Sequence, residues 1–337
     1  MRACRRLSIR LILALASLGV LPVAVRAQGT APHAPPVPRQ QKLLFVGDIM
    51  LSRSVGRKMA AEQDWTHPFE KIASTLRAAD LTFANLECPI SDKGRDRHHL
   101  YSFRADPRAI EGLKFAGFDV VSLANNHADD WGPAALMDTV ERLRAAGIRP
   151  VGAGANDLDA HYPAVVNLHG VRLAFLAYVE IPPESATAGP ASPGVAWLEP
   201  DRVMEDIRFA RRLADVVIVS LHWGIEYQRK PQRRQVEMAH EMIDAGADLV
   251  VGSHPHVVQP LEQYHGHWIA YSLGNFIFDQ HDPPTHHGLM LDVALKGKQI
   301  AAVEPVAITI VPGYQAVLTN EDTTTVAAQK HSEASAQ

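Results

Sequence analysis

Cysteine is nearly absent from this 337-residue chain: only Cys4 and Cys88 occur, too few for a disulfide scaffold. An excess of basic charge is absent as well. Thirty-three Lys and Arg stand against 37 Asp and Glu, a net charge of −4, so no electrostatic footprint for nucleic acid exists and no such partner is expected. The apolar run LILALASLGVLPVAV, broken by Pro22, falls short of the ~20 residues of a spanning helix. Gly152-Ala153-Gly154-Ala155-Asn156 lacks the G-x-G-x-x-G spacing of a dinucleotide loop. There is no internal repeat and no composition break that demands a second domain. What is present is a chain 47% apolar and 21% charged, able to bury a sizeable core, with a conspicuous excess of histidine, 17 in all.

Residues 1–10 carry four arginines and no acid, the apolar run follows, and Val25-Arg26-Ala27 places small side chains before a cut. Residues 1–27 are thus expected to be a signal peptide cleaved after Ala27, giving a periplasmic or extracellular protein of the cell envelope, near the membrane but not spanning it. An uncleaved anchor is the alternative. Cleavage removes Cys4, so no intrachain disulfide can form. The proline-rich stretch 28–41 reads as a flexible linker, the folded domain as 42–312, and 313–337, poor in large apolar residues, as a disordered tail.

Within the domain, six short apolar runs each end in a polar cluster. Leu43 to Val46 precedes Gly47-Asp48, Leu81 to Phe83 precedes Asn85-Leu86-Glu87, and Val120 to Leu123 precedes Asn125-Asn126-His127. Val216 to Leu221 precedes His222-Trp223-Gly224, Leu249 to Val251 precedes Gly252-Ser253-His254-Pro255-His256, and Ile269 to Leu273 precedes Gly274-Asn275. Continuous apolar strands alternating with amphipathic stretches, such as 132–146 and 231–245, indicate an α/β protein with sheets covered by helices. Gly147 and Gly246 are placed to stop those two helices. Further strands are expected at 165–178, 289–295 and 300–311. Ligands in such sheets bind beyond the carboxyl ends of the strands, so the six clusters are expected to share one site.

Carboxylate, amide and imidazole are the ligand types of zinc-like and harder divalent ions. Asp48, Glu87, Asn126, His222, His254 and His256 are therefore the candidate metal ligands, the last two projecting to one side of an extended segment stiffened by Pro255. Each of the other four has a plainer reading. Asp48 can cap the next helix, Glu87 can be a solvated turn residue, Asn125 and Asn126 can be turn formers, and His222 can be core beside Trp223. His127 and Asp130 can form an imidazole–carboxylate pair, or Asp130 can cap the helix opening at Gly132-Pro133. His98, His99, His281, His286 and His287 are expected in solvent. Arg104 is the candidate reader of an anionic substrate group; its alternative is a surface ion pair.

Phe45-Val46-Gly47-Asp48-Ile49-Met50-Leu51, Asn85-Leu86-Glu87, Ser122 to His127 with Asp130 and Gly132, His222-Trp223-Gly224-Ile225-Glu226-Tyr227, Gly252 to His256 and Tyr271-Ser272-Leu273-Gly274-Asn275-Phe276 resemble, in order, the signature segments of the capsule-synthesis CapA family. That family includes the PgsA-type proteins of poly-γ-glutamate production. The resemblance implies a role with an anionic capsule polymer and its synthesis and export components. It also implies a fold like the calcineurin-type metallophosphoesterases, two central β-sheets flanked by helices. Asp48, Glu87, Asn126-His127, His222 and His254-x-His256 fall at those enzymes' motif positions. Met50 stands where they have a histidine, which leaves one ligand of one metal missing.

Two functions follow. In one, a metal-dependent hydrolase uses Mn, Zn or Fe to present a hydroxide to a phosphoester or polymer amide, with His127 as proton donor oriented by Asp130. In the other, the same cleft binds polymer through Arg104 without cutting it, as an assembly component. A nuclease is a distant third.

Overall fold

A computed structural model describes residues 40–319; the expected signal peptide, nearly all of the expected linker and most of the expected tail lie outside the described residues. The strands are β1 (Gln41–Ile49), β2 (Leu81–Leu86), β3 (Val120–Ser122), β4 (Arg149–Val151), β5 (Ala153–Gly154), β6 (Ala164–Leu168), β7 (Val171–Val179) and β8 (Gly194–Val195). They continue as β9 (Val216–His222), β10 (Leu249–Ser253), β11 (Leu261–Tyr264), β12 (His267–Ala270), β13 (Asn275–Ile277), β14 (His287–Lys296), β15 (Gln299–Val311) and β16 (Gln315–Leu318). Among the described residues seven α-helices are interleaved: α1 (Arg53–Glu62), α2 (Ala73–Leu76), α3 (Ile110–Ala116), α4 (Pro133–Ala145), α5 (Asp157–His161), α6 (Pro200–Leu213) and α7 (Arg233–Ala245).

Two sheets form the centre. One runs β16-β15-β14-β1-β2-β3-β4 with β13 added beside β1, and the other runs β11-β12-β10-β9-β7-β6. β1, β2, β3 and β4 are mutually parallel, as are β7, β9, β10 and β12. Their apolar runs pack between the sheets: the Phe83 and Phe175 rings stack at 5.7 Å and 7°, and Phe45 lies 5.6 Å from Phe83. The helices supply the outer layers with one apolar stripe each. In α6, Val203, Met204, Ile207 and Ala210 are buried at helical spacing, Pro200 fills the first turn, and the Glu199 carboxylate accepts from Arg202 N as an N-cap. α7 ends at Gly246, whose φ of 118° suits a residue without Cβ. This is the helix-flanked two-sheet α/β architecture that the sequence predicts.

Two boundaries differ. The run 165–178 is not one strand but the antiparallel hairpin β6–β7, because His169-Gly170 turns the chain between two apolar halves. The fold also continues past residue 312. Gln315 to Leu318 pairs antiparallel with β15, and Ala316 is fully buried, so this short alternating segment closes the sheet edge rather than beginning a tail. Among the described residues no helix is long and apolar enough to cross a membrane.

One buried carboxylate ties the loop after β2 to α4. Asp138 accepts from Ser91 Oγ at 2.7 Å and pairs with Lys93 at 2.8 Å and Arg142 at 2.7 Å. Burial works to raise its pKa, yet these three partners outweigh it and hold the carboxyl at about 2. A depressed folded-state value adds stability that is complete above pH ~4 and lost as pH falls toward 2. With Lys93 and Arg142 open to water, the term is worth about 1 kcal/mol. Denaturant unfolding of wild type and Asp138→Asn at pH 7, 4 and 2.5 should show the two curves converging as acid is added. A constant gap across that range would exclude the linkage.

Candidate metal centre

The carboxyl ends of the parallel strands of both sheets meet at one edge, and there the polar clusters converge. Asp48, at the end of β1, accepts from Asn85 Nδ2 at 2.8 Å and from His254 N at 3.3 Å. It is a link between the two sheets rather than a helix cap, since α1 is preceded by Ser52. Its position depends on Gly47: a Cβ there would lie 1.8 Å from Gly274 O, and Asp48 N donates to that same carbonyl at 3.0 Å. Glu87 follows β2 and is fully buried. Around its Oε1 stand His256 Nε2 at 3.8 Å, His127 Nε2 at 3.9 Å and His222 Nε2 at 3.9 Å.

Asn126 Oδ1 lies 2.8 Å from His222 Nε2, so the third cluster reaches the second sheet. Asn125 plays a supporting part, its amide donating to Leu86 O at 2.9 Å and Asn85 Oδ1 at 3.2 Å. His222 Nδ1 faces Ser253 Oγ at 3.2 Å, while Trp223 is core, its indole donating to Tyr271 O. His256 Nδ1 stands 3.0 Å from Asn275 Oδ1 and 3.5 Å from Asp48. Asp48, Glu87 and His222 thus offer ligand atoms all within 4.8 Å of one another, and so do Glu226, His254 and His256.

The electrostatics are those of a crowded cation site. Burial drives the Glu87 carboxyl well above its usual range, opposed by the His256 charge. Burial also lowers His222 far below the ordinary imidazole value, helped by its neighbours His254 and His256, and lowers His254 to about 3. His256 goes the other way. Burial would lower it too, but Glu87 and Asp48 hold it up at about 9. Neither Glu87 oxygen, nor His254 Nδ1, has a hydrogen-bond partner among the described residues. Buried polar atoms are seldom left so, and this donor set fits a divalent cation.

Asp130 is bound on both oxygens and caps nothing. It takes His127 Nδ1 at 2.8 Å and Phe103 N at 2.7 Å on Oδ2, and His99 Nδ1 at 3.0 Å on Oδ1. His99, read as solvent-facing, is therefore a partner of the site. Phe103 stacks on His127 with ring centres 3.9 Å apart. Above them opens a cleft of about 240 Å³ whose lining includes Arg53, Tyr101, His127, Glu226, Tyr227 and His281. Arg104 is not part of that lining; its guanidinium lies 3.4 Å over the Trp131 ring. The cation at the cleft is Arg53, held by Asp279 at 2.7 Å. Cys88, next to Glu87, is fully buried, its Sγ accepting from Leu51 N and its thiol pushed up to about 12 by burial. Gly152 to Asn156 holds no phosphate cradle: Gly152 packs against Ala124 and Ala177, and Asn156 caps α5.

Residues 42–280 match the family described as bacterial capsule synthesis protein PGA_cap. The capsule biosynthesis protein CapA of Bacillus anthracis is 33% identical over 305 residues, covering 87% of this chain and 74% of that protein. The chain belongs to the capsule synthesis family. The PGA biosynthesis protein CapA of Bacillus subtilis (strain 168) is 35% identical over 272 residues, covering 79% of this chain and 70% of the relative. The family match runs from β1 through β13 and takes in every ligand-type residue of the centre, while β14–β16 lie beyond it. Among solved structures, the NAD nucleotidase of Haemophilus influenzae superposes with a TM-score of 0.47 at 10% identity, over 86% of this chain and 61% of that one, a likeness too loose to assign chemistry to this member of the capsule family.

Proposed function

We propose that this protein is an exported, metal-dependent hydrolase of capsule or poly-γ-glutamate biosynthesis, cleaving a phosphoester or an amide of the polymer and working beside the components that make and export it. Glu87 carries this reading. A fully buried carboxylate without hydrogen-bond partners among the described residues, facing three imidazoles at 3.8–3.9 Å, is costly unless a cation satisfies it. Asp48, Glu87, Asn126, His222, His254 and His256 are the residues that would hold one or two such ions, and their mixture of oxygen and imidazole donors suits Mn, Zn or Fe. When bound, a divalent ion supplies Lewis-acid polarisation and brings the pKa of a water toward 7. The chain's own residues do the rest. Asp130 anchors His127 Nδ1, Phe103 fixes the ring plane, and Nε2 is thereby left facing Glu87 and the cleft, from where it can pass a proton to a leaving group. The capsule names of the relatives support the substrate class, and the N-terminal tripartite segment supports export.

A second reading, polymer binding without cleavage, has one observation behind it. Met50 is fully buried, with its sulfur 3.2 Å from both Ser52 N and Ser52 Oγ, so β1 contributes a single ligand, Asp48. Elemental analysis of purified protein, together with hydrolysis of a generic phosphodiester and a γ-glutamyl peptide, separates the two. Divalent metal should copurify. Chelation should cut turnover at least ~100-fold, and adding the metal back should restore it. Metal without turnover on either substrate would leave the binding reading, and a protein that takes up no metal would end the hydrolase.

A further inference from the structure

Asp48, Glu87 and His222 form the buried floor of the centre. A second group lies outside it. Glu226 is exposed on the loop after β9, whereas His254 and His256 are only 4% and 3% exposed, and the ligand atoms of the three lie within 4.8 Å of one another. The loop is pinned to the histidine segment rather than merely near it: Tyr227 N donates to Pro255 O at 2.8 Å, Trp223 N to Ser253 O at 3.2 Å, and Gln259 Nε2 to Gln228 O at 2.8 Å. His254 and His256 adopt φ of 93° and 58°, values uncommon for residues other than glycine, so the segment is not the extended one expected from the sequence. His254 Nδ1, buried, has no hydrogen-bond partner among the described residues.

We infer that Glu226, His254 and His256 form a second, solvent-facing cation position beside the inner one of Asp48, Glu87 and His222, so that Glu226 supplies from the loop after β9 a ligand that β1 does not supply at Met50. One carboxylate and two imidazoles make a set suited to Zn, Mn or Fe with positions left open. His256 joins the two positions, since its Nε2 faces Glu87 Oε1 at 3.8 Å. The outer position would open onto the cleft lined by Arg53, Tyr101 and Tyr227, whereas Asp48, Glu87 and His222 are buried. This inference rests on the metal-centre reading above.

The test is zinc stoichiometry. Chelator-stripped wild-type protein and Glu226→Gln are loaded with Zn2+, freed of excess and analysed for metal per chain, with titration calorimetry resolving the steps. Glu226→Gln is expected to hold one equivalent less than wild type, or to bind its weaker equivalent at least tenfold more weakly. Equal melting temperatures of the two stripped proteins show that the variant, altered at an exposed side chain, is folded. If wild type and Glu226→Gln hold the same number of ions with the same affinities, the outer position does not exist, although the inner centre stands. If wild-type protein binds no Zn2+ at all, both the inference and the metal-centre reading fall.

Discussion

Replacing His127 with alanine should leave the metal content of the protein unchanged and lower turnover ~100- to 10,000-fold, the usual contribution of a positioned proton donor. Its Nδ1 is engaged by Asp130 at 2.8 Å and its Nε2 stands 3.9 Å from Glu87, beside the ligand set rather than within it. Asp130→Asn should lose less than His127→Ala, because it disturbs the orientation of a ring that remains present. The measurements are zinc per chain and the pH–rate profile: loss of the donor removes the limb on which activity falls as pH rises. Unchanged turnover in His127→Ala would remove His127 from the mechanism, and loss of metal would make it a ligand instead.

The largest effect on the fold should come from one methyl group at Gly47. An alanine Cβ would lie 1.8 Å from Gly274 O and 2.9 Å from Gly274 C, and both are backbone atoms of the turn that receives Asp48 N. Neither side can yield without moving Asp48 from the centre. Gly47→Ala should cost about 3 kcal/mol or more, seen as a drop of several degrees or more in melting temperature, and should reduce metal binding with it. Gly147→Ala provides the contrast. There φ is 83° and nothing lies within 4 Å, so only the left-handed backbone is penalised, by about 1 kcal/mol. Equal effects at the two positions would show that the contact between β1 and the Gly274 turn is not rigid.

The sequence was most legible where burial is double-sided. Strands covered on both faces leave unbroken apolar runs, and at their carboxyl ends the chain must become polar, which is why Asp48, Asn126 and His222 can be picked out by position alone. Residues that reach the centre by tertiary routes carry no such mark. Glu226 lies four positions past the end of β9 in an exposed loop and is brought in by the bond between Tyr227 and Pro255. Arg53 opens α1 and is held by Asp279, 226 positions away. His99 sits in a loop without regular structure, and only the fold discloses that Asp130 needs it. Arg104 is hidden for a related reason: a guanidinium beside Phe103 in sequence gives no sign of which ring it will cover, and it covers Trp131. The hairpin at His169-Gly170 and the closing strand at Gln315 were obscured because short antiparallel pairs carry weaker patterns than buried parallel ones.

Cys88 gives the centre a chemical clock. As the sole cysteine of the described residues, fully buried and bonded to Leu51 N directly beside Glu87, it is protected from thiol reagents and is a poor thiolate even where a reagent arrives. Labelling can therefore proceed only through molecules in which the ends of β1 and β2 have parted. Its rate counts those openings without an engineered labelling site, and every ligand that closes the centre writes its affinity into the same number.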